Sequence, residues 1–170
     1  MPQTGRVWKF GDNIDTDVLA PGLYMKGPLA TLAKHCLEAV EPRFAKDVKP
    51  GDIVVGGRNF GMGSSREQAV MVLRELGVAA VVAPSFAGIF YRNALNLGLL
   101  ALVCAQAGDI RPDAVLAVNA EAAELRDMET GSIYACEVIP GHLLQMIADG
   151  GLLPHLEKKL HVQRSKEAQA

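Results

Sequence analysis

The sequence is short of net charge: over 170 residues the formal balance is only -2. That excludes the broad basic surface needed to bind nucleic acid or an acidic membrane face, and leaves a small molecule or another protein as the partner. Although 49% of the residues are hydrophobic, no run of them reaches bilayer-spanning length. The start, Met1-Pro2-Gln3-Thr4-Gly5, also lacks a basic segment leading into an apolar one, so a cytoplasmic protein is expected. Cysteine is scarce. Cys36, Cys104 and Cys136 lie far apart with no CxxC pair, which fits neither a disulfide framework nor a complete metal site. Buried free thiols are expected instead. Internal repeats are missing as well, and the length suits one domain with a full core, residues 1–160. The polar run from His161 to Ala170 has the composition of a flexible tail.

What is present is an alternation of strand and helix patterns in the middle of the chain. Gly5 to Phe10 reads as a strand with Val7 on one face and Trp8 and Phe10 on the other. A long loop follows, carrying Asp15 and Asp17. Paired carboxylates bind a cation, act as acid and base, or brace a loop by accepting backbone N–H bonds, and the spacing around Thr16 suits bracing best. Leu23 to Pro28 reads as a lid between two turn signals. A helix is expected from Thr31, its cap, to Val40; His35 lies on it with no second ligand one turn away. Ile53–Val55, Val78–Ala83 and Leu99–Val103 are buried strands, separated by helices over Gln68–Leu76 and Phe86–Leu97. Arg92, Asn93 and Asn96 point away from the apolar face of the second helix. From Gly108 onward short strands and turns predict antiparallel sheet, followed by helices over His142–Ala148 and Leu152–Leu160. The expected class is therefore α/β, with a partly parallel central sheet and β-rich flanks.

Gly57-Arg58-Asn59-Phe60-Gly61-Met62-Gly63-Ser64-Ser65-Arg66-Glu67 joins the first of these buried strands to the helix after it. It is not a P-loop, which requires Lys and a hydroxyl residue after its last glycine, nor a dinucleotide fingerprint, whose third glycine is replaced by Arg66. What remains is a loop of N–H groups at a helix start, two hydroxyls, and a guanidinium suited to gripping a carboxylate through two parallel hydrogen bonds. Two readings stand. The first is a capping box, Ser64 with Glu67 or Ser65 with Gln68, worth about 1 kcal/mol. The second is a receptor for a carboxylic acid, which also accounts for Gly61, Gly63, both serines and Arg66.

Asn59 to Ala69, with Gly5 to Asp17 before it and Ser85-Phe86-Ala87 and Phe90 to Ala94 after it, resembles the small subunit of 3-isopropylmalate dehydratase, in the aconitase superfamily. The resemblance implies a swivelling β/β/α domain and the dehydration and rehydration of a 2-hydroxy acid in leucine biosynthesis. It further implies a [4Fe-4S] cluster on a separate large subunit, the partner without which this chain is inactive. On the family pattern Ser64 is the base that removes the carbon-bound proton, Ser65 and Arg66 bind substrate carboxylate, and Asn59, Gly61 and Gly63 support the loop. The lid occupies the place where the family reads the substrate's far substituent. Leu23, Met25 and Leu29 suit an isopropyl group; Lys26 suits a third carboxylate, as in homoaconitase, or solvent. Met62, Pro84 and Gly88 depart from the family's usual Cys, Lys and Arg. A dimethylmalate or citraconate hydratase subunit is thus a close alternative, and a stand-alone carboxylate-binding regulatory module is the rival of another class.

Overall fold

The computed structural model describes residues 3–168. Its strands are β1 (Gln3–Lys9), β2 (Ile53–Val55), β3 (Ala80–Ala83), β4 (Leu100–Val103), β5 (Val115–Asn119), β6 (Glu124–Asp127) and β7 (Ile133–Ala135). Its helices are α1 (Thr16–Leu19), α2 (Leu29–Ala33), α3 (Phe44–Asp47), α4 (Gln68–Glu75), α5 (Gly88–Asn96), α6 (Gly141–Ala148) and α7 (Leu152–Ala168). The strands make one sheet in the order β4-β3-β2-β1-β5-β6-β7. Strands β1 to β4 are mutually parallel, while β5 to β7 join the far edge of β1 through antiparallel pairs.

Burial explains this division. Strands β2 and β3 are buried at every position, because the parallel half is covered on both faces. One face, with Trp8, Val54, Val81 and Ala101, packs under the helices against Leu73, Phe60 and Phe90. The other, with Val7, Ile53, Val55, Val82 and Leu102, meets Leu116, Leu125 and Tyr134 of the antiparallel half. Strands β6 and β7 accordingly alternate between buried and exposed, with one side in water. The sheet curls far enough for its edges to touch: the Glu137 N–H, just past β7, donates to the Val103 carbonyl of β4 at 2.8 Å. The result is antiparallel layer, parallel layer, helix layer, the expected β/β/α arrangement.

Three local expectations are corrected. The helix expected from Thr31 to Val40 is α2, entered through Pro28 and finished at Ala33. Beyond it Lys34, His35 and Cys36 donate only to carbonyls three residues back, and Leu37 takes φ 59°, a left-handed conformation that ends regular winding. The long loop after β1 contains α1, capped by the Asp15 carboxylate, which accepts the Val18 N–H at 2.7 Å. The last helix runs past Leu160 to Ala168, so His161–Ala168 is exposed helix where a flexible tail is expected. The segment holds no Gly or Pro after Pro154, and its Lys, Glu, Gln and Ala residues are good helix formers. Positions 169 and 170 of that expected tail lie outside the described residues. No described helix is long and apolar enough to cross a membrane.

Candidate active site

The glycine-rich loop leaves the carboxyl end of β2, between the loops that leave β1 and β3. Backbone bonds stitch the three together. Gly61 donates to the Ile14 carbonyl at 2.7 Å, Thr16 to Met62 at 2.8 Å, and Phe60 to Ser85 at 3.0 Å, with Ala87 returning a bond to Phe60 at 2.9 Å. Two glycines are required by this geometry. Gly61 has φ +81°, and a Cβ there would stand 2.1 Å from Cγ of Phe90; Gly63 has φ +110° and passes Oγ1 of Thr16. Asn59, at φ 58°, donates its N–H to Oγ of Ser85 at 2.8 Å, while its side-chain amide reaches Asn13 and Met62 at 3.4 Å.

The capping-box reading does not survive. Helix α4 begins at Gln68, its cap residue Glu67 is already helical, and no side chain caps it. Ser64 and Ser65 lie ahead of the helix, exposed on the loop. Nε of Arg66 donates to Oγ of Ser64 at 2.7 Å, and Oγ1 of Thr16 lies 3.0 Å from that same oxygen while accepting the Ser64 N–H at 3.0 Å. Thr16 is 3% exposed, so its hydroxyl is fixed by packing. Arg66 is fixed as well: its Nη1 donates to the Ala20 carbonyl at 2.9 Å and to Oδ1 of Asp17 at 3.2 Å. With Nε and Nη1 committed, Nη2 is the part of the fork left for an incoming anion, rather than a full two-point grip. Asn93 of α5 steadies the neighbouring backbone by donating to the Ser65 carbonyl at 3.2 Å.

Asp15 and Asp17 brace the loop as expected, Asp15 through Val18 and Asp17 through the Gly22 N–H at 3.0 Å. Asp17 adds a charge opposite Arg66 that spacing did not foretell. The segment expected to be a lid, Leu23 to Pro28, starts inside a 3₁₀ turn, Gly22–Tyr24, and has Leu23 83% exposed, with Lys26 also exposed. Tyr24 anchors it by stacking on His35 at 3.5 Å between ring centroids, and Nδ1 of His35 sits 2.7 Å from the Glu38 carboxylate. Sequence reasoning missed Thr16 and Asn93. Thr16 was visible only as a hydroxyl between two aspartates, and Asn93 as a polar residue on the outer face of its helix.

Fold and loop together define the class: an α/β domain that offers a serine–arginine loop at the carboxyl ends of parallel strands, where open α/β sheets bind ligands. Residues 35–107 match the family model described as "Aconitase C-terminal domain". The chain is 46% identical over 156 residues to "3-isopropylmalate dehydratase small subunit 1" of Thermotoga maritima, covering 91% of this chain and 94% of that one. It is 45% identical over 160 residues to "Methanogen homoaconitase small subunit" of Methanothermobacter thermautotrophicus, covering 92% and 91%. Against "Isopropylmalate/citramalate isomerase small subunit" of Methanocaldococcus jannaschii it is 43% identical over 158 residues, covering 92% and 94%. A crystal structure of 3-isopropylmalate dehydratase from Methanocaldococcus jannaschii superposes with a TM-score of 0.91 at 39% identity, covering 98% of this chain and 99% of that one. The chain belongs to the 3-isopropylmalate dehydratase small-subunit family of the aconitase superfamily.

Proposed function

We propose that this chain is the small subunit of a hydro-lyase that interconverts 2-isopropylmalate and 3-isopropylmalate by dehydration and rehydration. The observation that carries the reading is the Ser64 hydroxyl, held between Nε of Arg66 at 2.7 Å and Oγ1 of Thr16 at 3.0 Å. A serine is far too weak an acid to act as a base unless its alkoxide is stabilised. Here the alkoxide would accept from the guanidinium and from the Thr16 hydroxyl, which turns its own proton inward once Ser64 has lost its proton. In this role Ser64 takes the carbon-bound proton and returns it to the adjacent carbon face during rehydration. Nη2 of Arg66 and the Ser65 hydroxyl bind a substrate carboxylate, with Asp17 and Ala20 keeping the guanidinium in place.

An iron-sulfur cluster does not fit this chain's own residues. Among the described residues no three His, Cys, Asp or Glu side chains converge, and Cys36 lies on the opposite face of the sheet from Cys104 and Cys136. In this reading, as the family resemblance implies, the [4Fe-4S] cluster belongs to a large subunit, where it would supply the Lewis acid for the substrate hydroxyl. That subunit also completes the site and excludes water.

Relatives of near-equal identity carry different substrate names, so overall similarity does not choose the acid. Exposed Leu23 and half-buried Met25 favour the isopropyl substituent, and exposed Lys26 favours a third carboxylate. The test is to reconstitute the chain with a cluster-loaded large subunit and assay 2-isopropylmalate, cis-homoaconitate and citraconate. Turnover of 2-isopropylmalate above the other two is expected. Preference for either of the others reassigns the substrate, and no turnover of any with an intact cluster removes the enzyme reading in favour of a carboxylate-binding module.

A further inference from the structure

The seam that closes the sheet carries a pair of cysteines that the proposed reaction does not use. Cys104 directly follows β4, Cys136 directly follows β7, and both side chains pack into the core enclosed by the curled sheet. The strand directions fix how they meet. Strand β4 runs parallel to β1, whereas β7 is reached from β1 through three successive antiparallel pairings, so β7 and β4 run in opposite directions. Across an antiparallel seam bonded from Glu137 N–H to the Val103 carbonyl, the residue before Glu137 faces the residue after Val103. Those residues are Cys136 and Cys104.

Pairs adjoining such a bond approach to about 4.5 Å between Cα atoms, close to the range of about 4.4–6.8 Å that a disulfide spans. The two sulfurs face each other across the seam, and their interaction draws Cys104 down to about 7 and pushes Cys136 up. Cys104 is fully buried and Cys136 partly exposed, so one sulfur of the pair faces solvent-borne reagents while the other waits behind it. Cys36 lies on the helix side of the sheet, where burial raises its thiol and holds it protonated.

We propose that Cys104 and Cys136 form a reversible disulfide that bolts the closed sheet, with hydrogen peroxide as the two-electron oxidant. The Cys104 thiolate takes the proton of the more exposed Cys136, whose sulfur attacks one peroxide oxygen; the O–O bond breaks, leaving a sulfenic acid on Cys136 and a hydroxide that recovers that proton from Cys104 as water. The Cys104 thiolate then attacks that sulfur. An S–S bond forms, the S–O bond breaks, and the second hydroxide leaves as water with the second proton. Two thiols are oxidised and one peroxide is reduced to two waters. This inference is independent of the proposed hydro-lyase activity.

The test treats the full reduced chain with stoichiometric peroxide and follows intact mass, mapped peptides and thermal unfolding. The expected result is a loss of two hydrogen masses, one cross-linked peptide joining Cys104 to Cys136, and Cys36 still open to alkylation after unfolding. Dithiothreitol should reverse all three, and the oxidised form should melt roughly 5–10 °C higher because its unfolded chain is looped. Cys36→Ser should behave like the parent, and Cys136→Ser should lose the two-hydrogen change. Gain of oxygen mass without a cross-link, a bond to Cys36, or a bond between two chains would overturn the proposal.

Discussion

The Ser64 hydroxyl oxygen accepts from Nε of Arg66 at 2.7 Å and more weakly from the Arg66 N–H at 3.4 Å, and shares a hydrogen bond with the Thr16 hydroxyl at 3.0 Å. That arrangement is of little use to a cap and suits an oxygen about to carry charge. Ser64→Ala should lower kcat of the reconstituted enzyme about a thousandfold, within the range for losing a general base, with the melting temperature almost unchanged because the hydroxyl is exposed. Thr16→Val keeps the buried shape and removes the donor. It should cost roughly 10²-fold in kcat, the scale of one oxyanion donor, and Thr16→Ser should recover most of it. A Thr16→Val enzyme with parental kcat would show that the threonine only holds the backbone. Ser64 and Arg66 were legible in the sequence because they are two residues apart in a loop whose glycines exclude ordinary helix entry. Thr16 was not, because its contact with Ser64 spans 48 positions and exists only once the β1 and β2 loops are stitched together.

At the scale of elements, helices α4 and α5 and the four parallel strands follow from periodicity and glycine punctuation, since their burial repeats the apolar pattern. The failures lie where periodicity competes with something non-periodic. The run after α2 has helical spacing at Leu32, Cys36 and Leu37, yet the left-handed Leu37 packs into the core and breaks the winding. Helix α7 has no buried residue, so no apolar stripe pointed to its length. What fastens its first turns is charge: the Asp149 carboxylate at the end of α6 sits 2.6 Å from Nζ of Lys158 and 2.6 Å from Nδ1 of His155. The lysine first, then the histidine and Gln145, hold Asp149 at about 2 against an ordinary 3.8. Because the folded value is the lower one, this carboxylate stabilises the α6–α7 junction above the ordinary carboxylate range, and the contribution is lost as pH falls from about 4 toward 2. Limited proteolysis between α6 and α7 should therefore accelerate across that window in the parent protein. Asp149→Asn should cleave faster at neutral pH and show no such pH step; a step that persists in the variant would assign it to another group.

The whole molecule is a curled sheet whose two edge strands meet through a backbone bond, with the candidate site at one rim. Its closure was illegible in the sequence, because the bond between Glu137 and Val103 joins segments that no short-range pattern connects. The two halves were legible separately, since strands covered on both faces read as unbroken apolar runs and strands wet on one face alternate. The same architecture supports the partner that the proposed function calls for. Loops from β1, β2 and β3 converge on Ser64, yet Ser64 and Ser65 remain exposed, and an alkoxide open to water is reprotonated at once. In the proposed mechanism, closure by a second subunit would supply the dry environment in which Arg66 and Thr16 outcompete solvent for that oxygen. Two measurements on one titration test this. The chain alone should give no turnover at any concentration, and activity should rise linearly with added large subunit to a break at equal stoichiometry. Over the same titration the backbone amides of Ser64, Ser65 and Arg66 should gain protection from hydrogen exchange, while those of the far end of α7 stay unprotected. Activity that appears without any new protection at these amides would mean that the loop works open to solvent, and the role assigned to closure would fall.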